Sequence, residues 1–190
     1  MRLKIVQAGD PVLRQVARPL TPTEILSPDL QRLISDLRET MLDAPGVGLS
    51  LRLAVIEDRP ESLRDLSPAQ LAERERKPVP FHALINPVIR AQSEQLLNFF
   101  EGCLSVAGFV AAVPRALAVE VECFDEHAQP RRITARGWYA RILQHEIDHL
   151  NGGLYLDRMH TRSFSTVENF TRHWKDRAVA DVIAALGNAE

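Results

Sequence analysis

Leu30, Leu33, Ile34, Leu37 and Met41 recur at the spacing of one helix face. Ser27 precedes them as a cap, Pro28 suits the first helical position, and Asp29 favours the N-terminal dipole. Ala44-Pro45-Gly46 ends that helix. A second helix is predicted from Gly137 to Asn151, stopped by Gly152-Gly153. Val167, Phe170, Trp174, Ala178 and Val182 predict a third, C-terminal helix, with Gly187–Glu190 fraying.

Between these lie strand patterns. Val119, Val121 and Cys123 alternate with Glu120, Glu122 and Phe124, the period of a half-buried strand, and Arg131–Thr134 is a hairpin partner for it. Leu51–Ile56, Phe81–Ile89 (interrupted by Asn86-Pro87) and Gln95–Phe100 are further candidates. An early apolar run, Leu3–Val6, meets a turn at Gly9-Asp10-Pro11. Glu57–Pro80 is rich in charge and proline, with a short helix over Pro68–Arg76; it reads as a solvated surface excursion. Strands without regular βαβ alternation predict an α+β fold: mostly antiparallel sheets around the Gly137–Asn151 helix, plus the C-terminal helix. Residues 1–190 form one domain, with no internal repeat.

Composition narrows this only slightly. Of 190 residues 45% are hydrophobic and 25% charged, with net charge -2, the balance of a globular protein with no nucleic-acid or membrane bias. The start lacks an apolar signal core, and no run is long enough to span a bilayer. A cytoplasmic (bacterial) location is expected, an organelle being the alternative. Monomer and homodimer both stay open. Cys103 and Cys123 favour thiols or metal ligands over a disulfide.

The chemistry sits in His145-Glu146-Ile147-Asp148-His149, an H-E-x-x-H motif inside a predicted helix. Residues four apart share a helix face, so both imidazoles reach one ion while Glu146 lies beside it to handle a proton. Open catalytic sites usually take three protein ligands, so a third is needed. Downstream candidates are His160 and Glu168; upstream, Cys103 follows Gly102, where backbone can approach closely. A thiolate suits a borderline-soft ion, and Cys103 is preferred; Cys123, on the apolar face of its strand, reads as core.

These residues resemble the peptide deformylase family. Its second motif, E-G-C-L-S, stands complete as Glu101–Ser105, and its third, Q-H-E-x-D-H, as Gln144–His149. Gly9–Arg14, Leu84–Pro87 and Val113–Arg115 match neighbouring family segments, and Gly137–Arg141 resembles the organellar branch. The resemblance implies that Cys103, His145 and His149 hold Fe²⁺, with Zn²⁺, Ni²⁺ or Co²⁺ as substitutes. It implies Glu146 as general base and acid and the Leu104 backbone N–H as an oxyanion donor. The substrate would be a formyl-methionyl nascent chain near the ribosome, its formyl group released as formate. Val47, Gly48, Glu101, Gly102, Trp138 and Ile142 would bind it, Trp138 and Ile142 being equally readable as core.

The first family motif, G-x-G-L-A-A-x-Q, is broken. Gly46-Val47-Gly48-Leu49 begins it, but Ser50-Leu51-Arg52-Leu53 follows. Read without a gap, Leu53 replaces the oxyanion-donating glutamine; read with a gap, the preferred reading, that segment is absent. Gln144 is a poor substitute, since it precedes His145 in members that also have the first glutamine. Ala107 stands where the family usually has proline. A zincin-like metalloprotease and a non-catalytic metal-holding descendant are the alternative functions. The chain is an impaired deformylase, a deliberately shortened one, or longer in life than the sequence read here. An intact mass of 21.3 kDa excludes the last.

Overall fold

The computed structural model describes residues 2–44, 46–50 and 53–187, without the side chains of Leu49 and Ser50. Pro45, Leu51, Arg52 and the three C-terminal residues, which include parts of the predicted stop, strand and frayed end, lie outside it.

Five strands form one antiparallel sheet: β1 (Gly48–Ser50), β2 (Ala54–Asp58), β3 (Val79–Gln92), β6 (Ala118–Phe124) and β7 (Pro130–Arg136), in the order β1-β2-β3-β6-β7. A second sheet has the order β4-β5-β8: β4 (Leu96–Gly102), β5 (Phe109–Ala116) and β8 (Ser165–Thr166). Six α-helices are described: α1 (Pro22–Ile25), α2 (Pro28–Asp43), α3 (Pro68–Glu73), α4 (Gly137–Leu150), α5 (Val167–His173) and α6 (Val179–Ala185). The architecture is the expected α+β, and no described helix is long and apolar enough to cross a membrane.

Strand periodicity builds two cores on the two faces of the large sheet. Ala54, Ile56, Leu84, Val119, Val121 and Cys123 pack with α4 through Ala140, Leu143, Ile147 and Leu150. Val55, Ala83 and Ile85 face the other way and meet Leu30, Ile34, Leu37 and Met41 of α2. Helix α4 contacts β5 as well, so it lies between the two sheets. Cys123 is core, and burial pushes its thiol up to about 11.

The Asn86-Pro87 interruption is a bulge in one continuous strand. Asn86 takes φ 52, and its side chain exchanges two 2.8 Å hydrogen bonds with the backbone of Leu20. The C-terminal helix divides in two. Trp174 leaves helical geometry with φ -126; Phe170 packs on Phe100 of β4, while Val182 and Ile183 bury separately. One straight helix would not serve both contacts.

The Glu57–Pro80 excursion is not merely solvated. The Trp138 N–H donates to Arg74 O at 2.8 Å, Arg136 pairs with Glu75, and Arg76 grips the buried Asp58 through both carboxylate oxygens. The guanidiniums of Arg74 and Arg76 lie over the Trp138 ring at 5.3 and 5.1 Å. The excursion thus straps the N-terminus of α4. Gly137 makes the close approach: its φ is +64, and a Cβ there would lie 2.7 Å from Arg74 O and 2.5 Å from Glu75 Cβ. Gly137→Ala should lower stability by about 2 kcal/mol or more. Gly108→Ala, at φ +83 with open space around it, should cost less. Denaturant midpoints of the two variants check the order.

Candidate metal centre

Helix α4 carries His145 and His149 one turn apart, and the turn after β4 carries Cys103. Their donor atoms lie within 4.8 Å of one another. His149 Nε2 is 3.3 Å from Cys103 Sγ and 3.2 Å from His145 Nε2. A tetrahedral ion with bonds of about 2.0–2.3 Å spaces its ligand atoms by about 3.3–3.6 Å, so this donor set fits a divalent metal. Of the other candidates, His160 Nε2 is bonded to Asn98 at 2.7 Å, and Glu168 is exposed and paired with Arg172. Neither joins the cluster.

Beneath the ligands lies a buried charge network. Glu101 is 6% exposed, and its Oε2 takes the Nδ1–H of His145 at 3.0 Å. That bond fixes the tautomer and leaves Nε2 free as a ligand. Arg115 donates to both Glu101 oxygens at 3.0 Å, and Arg141 donates to Oε1 at 2.6 Å. Arg115 also binds Asp148, which Arg158 grips from outside through two bonds of 2.8 Å. Burial alone would raise the Glu101 carboxyl, but the bonds from His145 and Arg115 hold it well below the usual carboxylate range. Burial likewise pushes the Cys103 thiol up, and its bonds to His145 and His149 more than offset this, bringing it down to about 6. A thiol so disposed gives up its proton readily, as a ligand must.

Glu146 is buried, 4% exposed, and its carboxylate is directed at β1: a Cβ on Gly48 would lie 2.1 Å from Glu146 Oε1. A Cβ on Gly46 would lie 2.9 Å from Leu104 Cδ1. The surviving start of the first motif therefore still lines the centre. Leu53, the ungapped counterpart of the missing glutamine, is fully buried in the α2 core and has no polar side chain to offer. Gln144 is fully engaged: its oxygen accepts from Ala116 N, and its amide donates to Ala116 O and Ala140 O. It fastens α4 to the end of β5 and has no donor to spare.

Of the residues expected to bind substrate, Val47, Gly48, Gly102 and Trp138 are partly or wholly open, while Ile142 is buried in the α4 core. The Glu101 carboxylate faces inward, supporting His145 rather than a ligand. Sequence reasoning did not single out Arg141, Asp148 or Gln7. A charged residue in a helix buried on nearly all sides was the available signal for Arg141. Gln7 donates to Leu104 O and accepts from Ala107 N, tying the Cys103 turn to the N-terminal segment.

Cys103 after β4 and the two imidazoles of an H-E-x-x-H helix, set between antiparallel sheets, define the class of proteins with a candidate Cys-His-His metal centre. The model of the polypeptide deformylase family matches residues 2–165, and the chain belongs to that family. It is 44% identical to Arabidopsis thaliana peptide deformylase 1A, chloroplastic/mitochondrial, over 87% of its own length and 64% of the plant protein's. It is also 44% identical to peptide deformylase 3 of Streptomyces avermitilis, covering 98% of this chain and 84% of the relative. The Met-Ala-Ser-bound class I type b peptide deformylase of Acinetobacter baumannii is similar at TM-score 0.74 and 28% identity, over 84% of this chain and 99% of that one. The chain thus spans just under two thirds of the Arabidopsis relative's length.

Cys103→Ala should collapse affinity for a divalent ion, as a zincin-like ligand set would not. Glu101→Gln, which keeps the shape and loses the charge, should weaken metal binding about 10–100-fold. Chelator competition measures both.

Proposed function

We propose that this chain removes the N-formyl group from formyl-methionyl peptides, releasing formate. The observation that carries this reading is the placement of β1 and β4. Each is the terminal strand of its sheet, and each has one end at the centre: Gly48, which opens β1, abuts Glu146, and Gly102, which closes β4, precedes the ligand Cys103. An extended peptide laid along such edges gains main-chain hydrogen bonds and delivers its N-terminus to the centre. The first side chain then lies against Val47 and Trp138, beside Ile142. The Acinetobacter relative was solved with Met-Ala-Ser bound, which supports a peptide as the ligand class.

Cys103, His145 and His149 would hold a divalent ion, which would supply Lewis acidity and bring the pKa of a water molecule towards neutrality. Iron(II) is the proposed native ion, with Zn²⁺, Ni²⁺ and Co²⁺ as substitutes, because thiolate with imidazole suits them all. Glu146 accepts the water's proton and passes it to the departing amine. The Leu104 N–H, which has no protein acceptor among the described residues, donates to the developing oxyanion. Nascent chains leaving a bacterial or organellar ribosome are the proposed substrates.

The truncated first motif favours a second reading, a metal-holding descendant without turnover. Loss of one oxyanion donor costs about 10²–10³ in turnover, so a deformylase of this form should be slow rather than inert. Formate release from formyl-Met-Ala-Ser by the Ni²⁺-loaded protein decides. Turnover should vanish in Glu146→Ala and fall about 10²-fold in Gly48→Ala, whose Cβ displaces the carboxylate. One bound metal per chain with no formate would establish the second reading.

A further inference from the structure

We propose that Arg141 is a positioning residue that couples recognition of the substrate's first side chain to the metal ligand His145. The proposal rests on the deformylase reading, in which that side chain lies against Trp138. Arg141 precedes His145 by one helical turn and is 4% exposed. On one side its guanidinium sits 5.2 Å from the Phe99 ring and 5.8 Å from the Trp138 ring. Those two rings meet edge to face at 6.1 Å and form an aromatic wall. On the other side Arg141 Nη1 donates to Glu101 Oε1 at 2.6 Å, and Glu101 Oε2 takes the His145 Nδ1–H at 3.0 Å. Wall, guanidinium, carboxylate and ligand are therefore in continuous contact.

The two arginines on Glu101 differ in what else they touch. Arg115 grips both carboxylate oxygens and Asp148, and so clamps Glu101 to a second carboxylate. Among the described residues Arg141 pairs with no second carboxylate. Its remaining bonds go to the carbonyls of Val113 (3.0 Å) and Leu97 (2.6 Å), on the strands that carry Arg115 and Phe99. A guanidinium is a rigid planar fork, so tilting it against the rings moves its nitrogens together. An apolar side chain of similar volume would pack beside Phe99 and Trp138 without the desolvation cost of a buried cation. The cation is explained if its contact with Glu101 is used. A side chain pressed against the wall favours one tilt, which seats Glu101 on His145; an empty wall allows others.

The test reads metal affinity, not turnover. Ni²⁺ affinity of the whole chain is measured by chelator competition, alone and saturated with Met-Ala-Ser or Gly-Ala-Ser. The two peptides share every main-chain contact, so their difference isolates the side chain, and linkage makes the effect reciprocal. In the unmodified chain Met-Ala-Ser should raise Ni²⁺ affinity about fivefold or more beyond Gly-Ala-Ser. In Arg141→Lys and Arg141→Met the two peptides should act alike. Phe99→Leu loosens the wall and leaves the Glu101 bonds. It should lose the same difference, and it decides the matter if the Arg141 variants do not fold. Equal effects of the two peptides on the unmodified chain overturn the proposal, as does a methionine advantage that persists in the variants. Formate release is followed in parallel. A methionine advantage without formate sinks the activity and keeps the coupling; formate without the advantage does the reverse.

Discussion

A carboxylate withdrawn from water must be surrounded by donors, and Glu101 shows what that demand imposes. An ionised group in a protein interior is tolerated only when it is paired and hydrogen-bonded, and removing one partner of such a pair costs about 3–5 kcal/mol. The donors to Glu101 come from β5 through Arg115 and from α4 through Arg141 and His145. Satisfying one side chain therefore fixes the distance and rotation of the H-E-x-x-H helix against the small sheet. Cys103 follows Glu101 by two residues, so the same constraint brings the thiolate to the imidazoles. Asp148, between Arg115 and Arg158, extends the network towards solvent on the far side.

What was legible in the sequence was whatever is local. The helix from Pro28, the alternation of Val119, Val121 and Cys123, and the one-turn spacing of His145 and His149 all follow from periods of 3.6 or 2. Cys103 became legible only through its motif, since no local rule places residue 103 beside residue 149. The Glu101 network was not legible, because its donors lie 14 to 44 residues from Glu101 and only the fold joins them. β5 escaped because Phe109–Ala116 contains Ala111-Ala112 and Pro114, poor strand signals. The proline is tolerated because β8 pairs only with Phe109 and Val110, leaving that side of Pro114 without a partner strand. The excursion before Pro80 looked solvated by composition, yet its arginines lie on an aromatic ring, a contact that charge counting does not register.

The broken first motif divides the site's functions cleanly. Its glycines persist where a side chain would collide, Gly48 with Glu146 and Gly46 with Leu104, so the hairpin of β1 and β2 still closes on the centre. In the proposed function, metal ligation, support of His145 and proton handling all rest on residues outside that stretch. Only the glutamine donor is lost, and Gln144 cannot take its place without breaking three bonds that hold α4 to Ala116 and to its own turn.

That division decides which kinetic constant carries the loss. An oxyanion donor interacts far more strongly with the developing negative charge than with the resting carbonyl, so its absence lowers kcat and kcat/KM together. In the proposed function the edges of β1 and β4 and the aromatic wall would act on the substrate before reaction as well as during it. If the proposed function holds, the loss therefore falls on conversion of a formylated peptide rather than on its recognition. A defect confined to the transition state does not resemble general decay of the site, which would loosen the glycine contacts and the Glu101 pairs as readily as the oxyanion hole. On the gapped reading, the first motif lacks a single donor within a scaffold whose other constraints hold among the described residues.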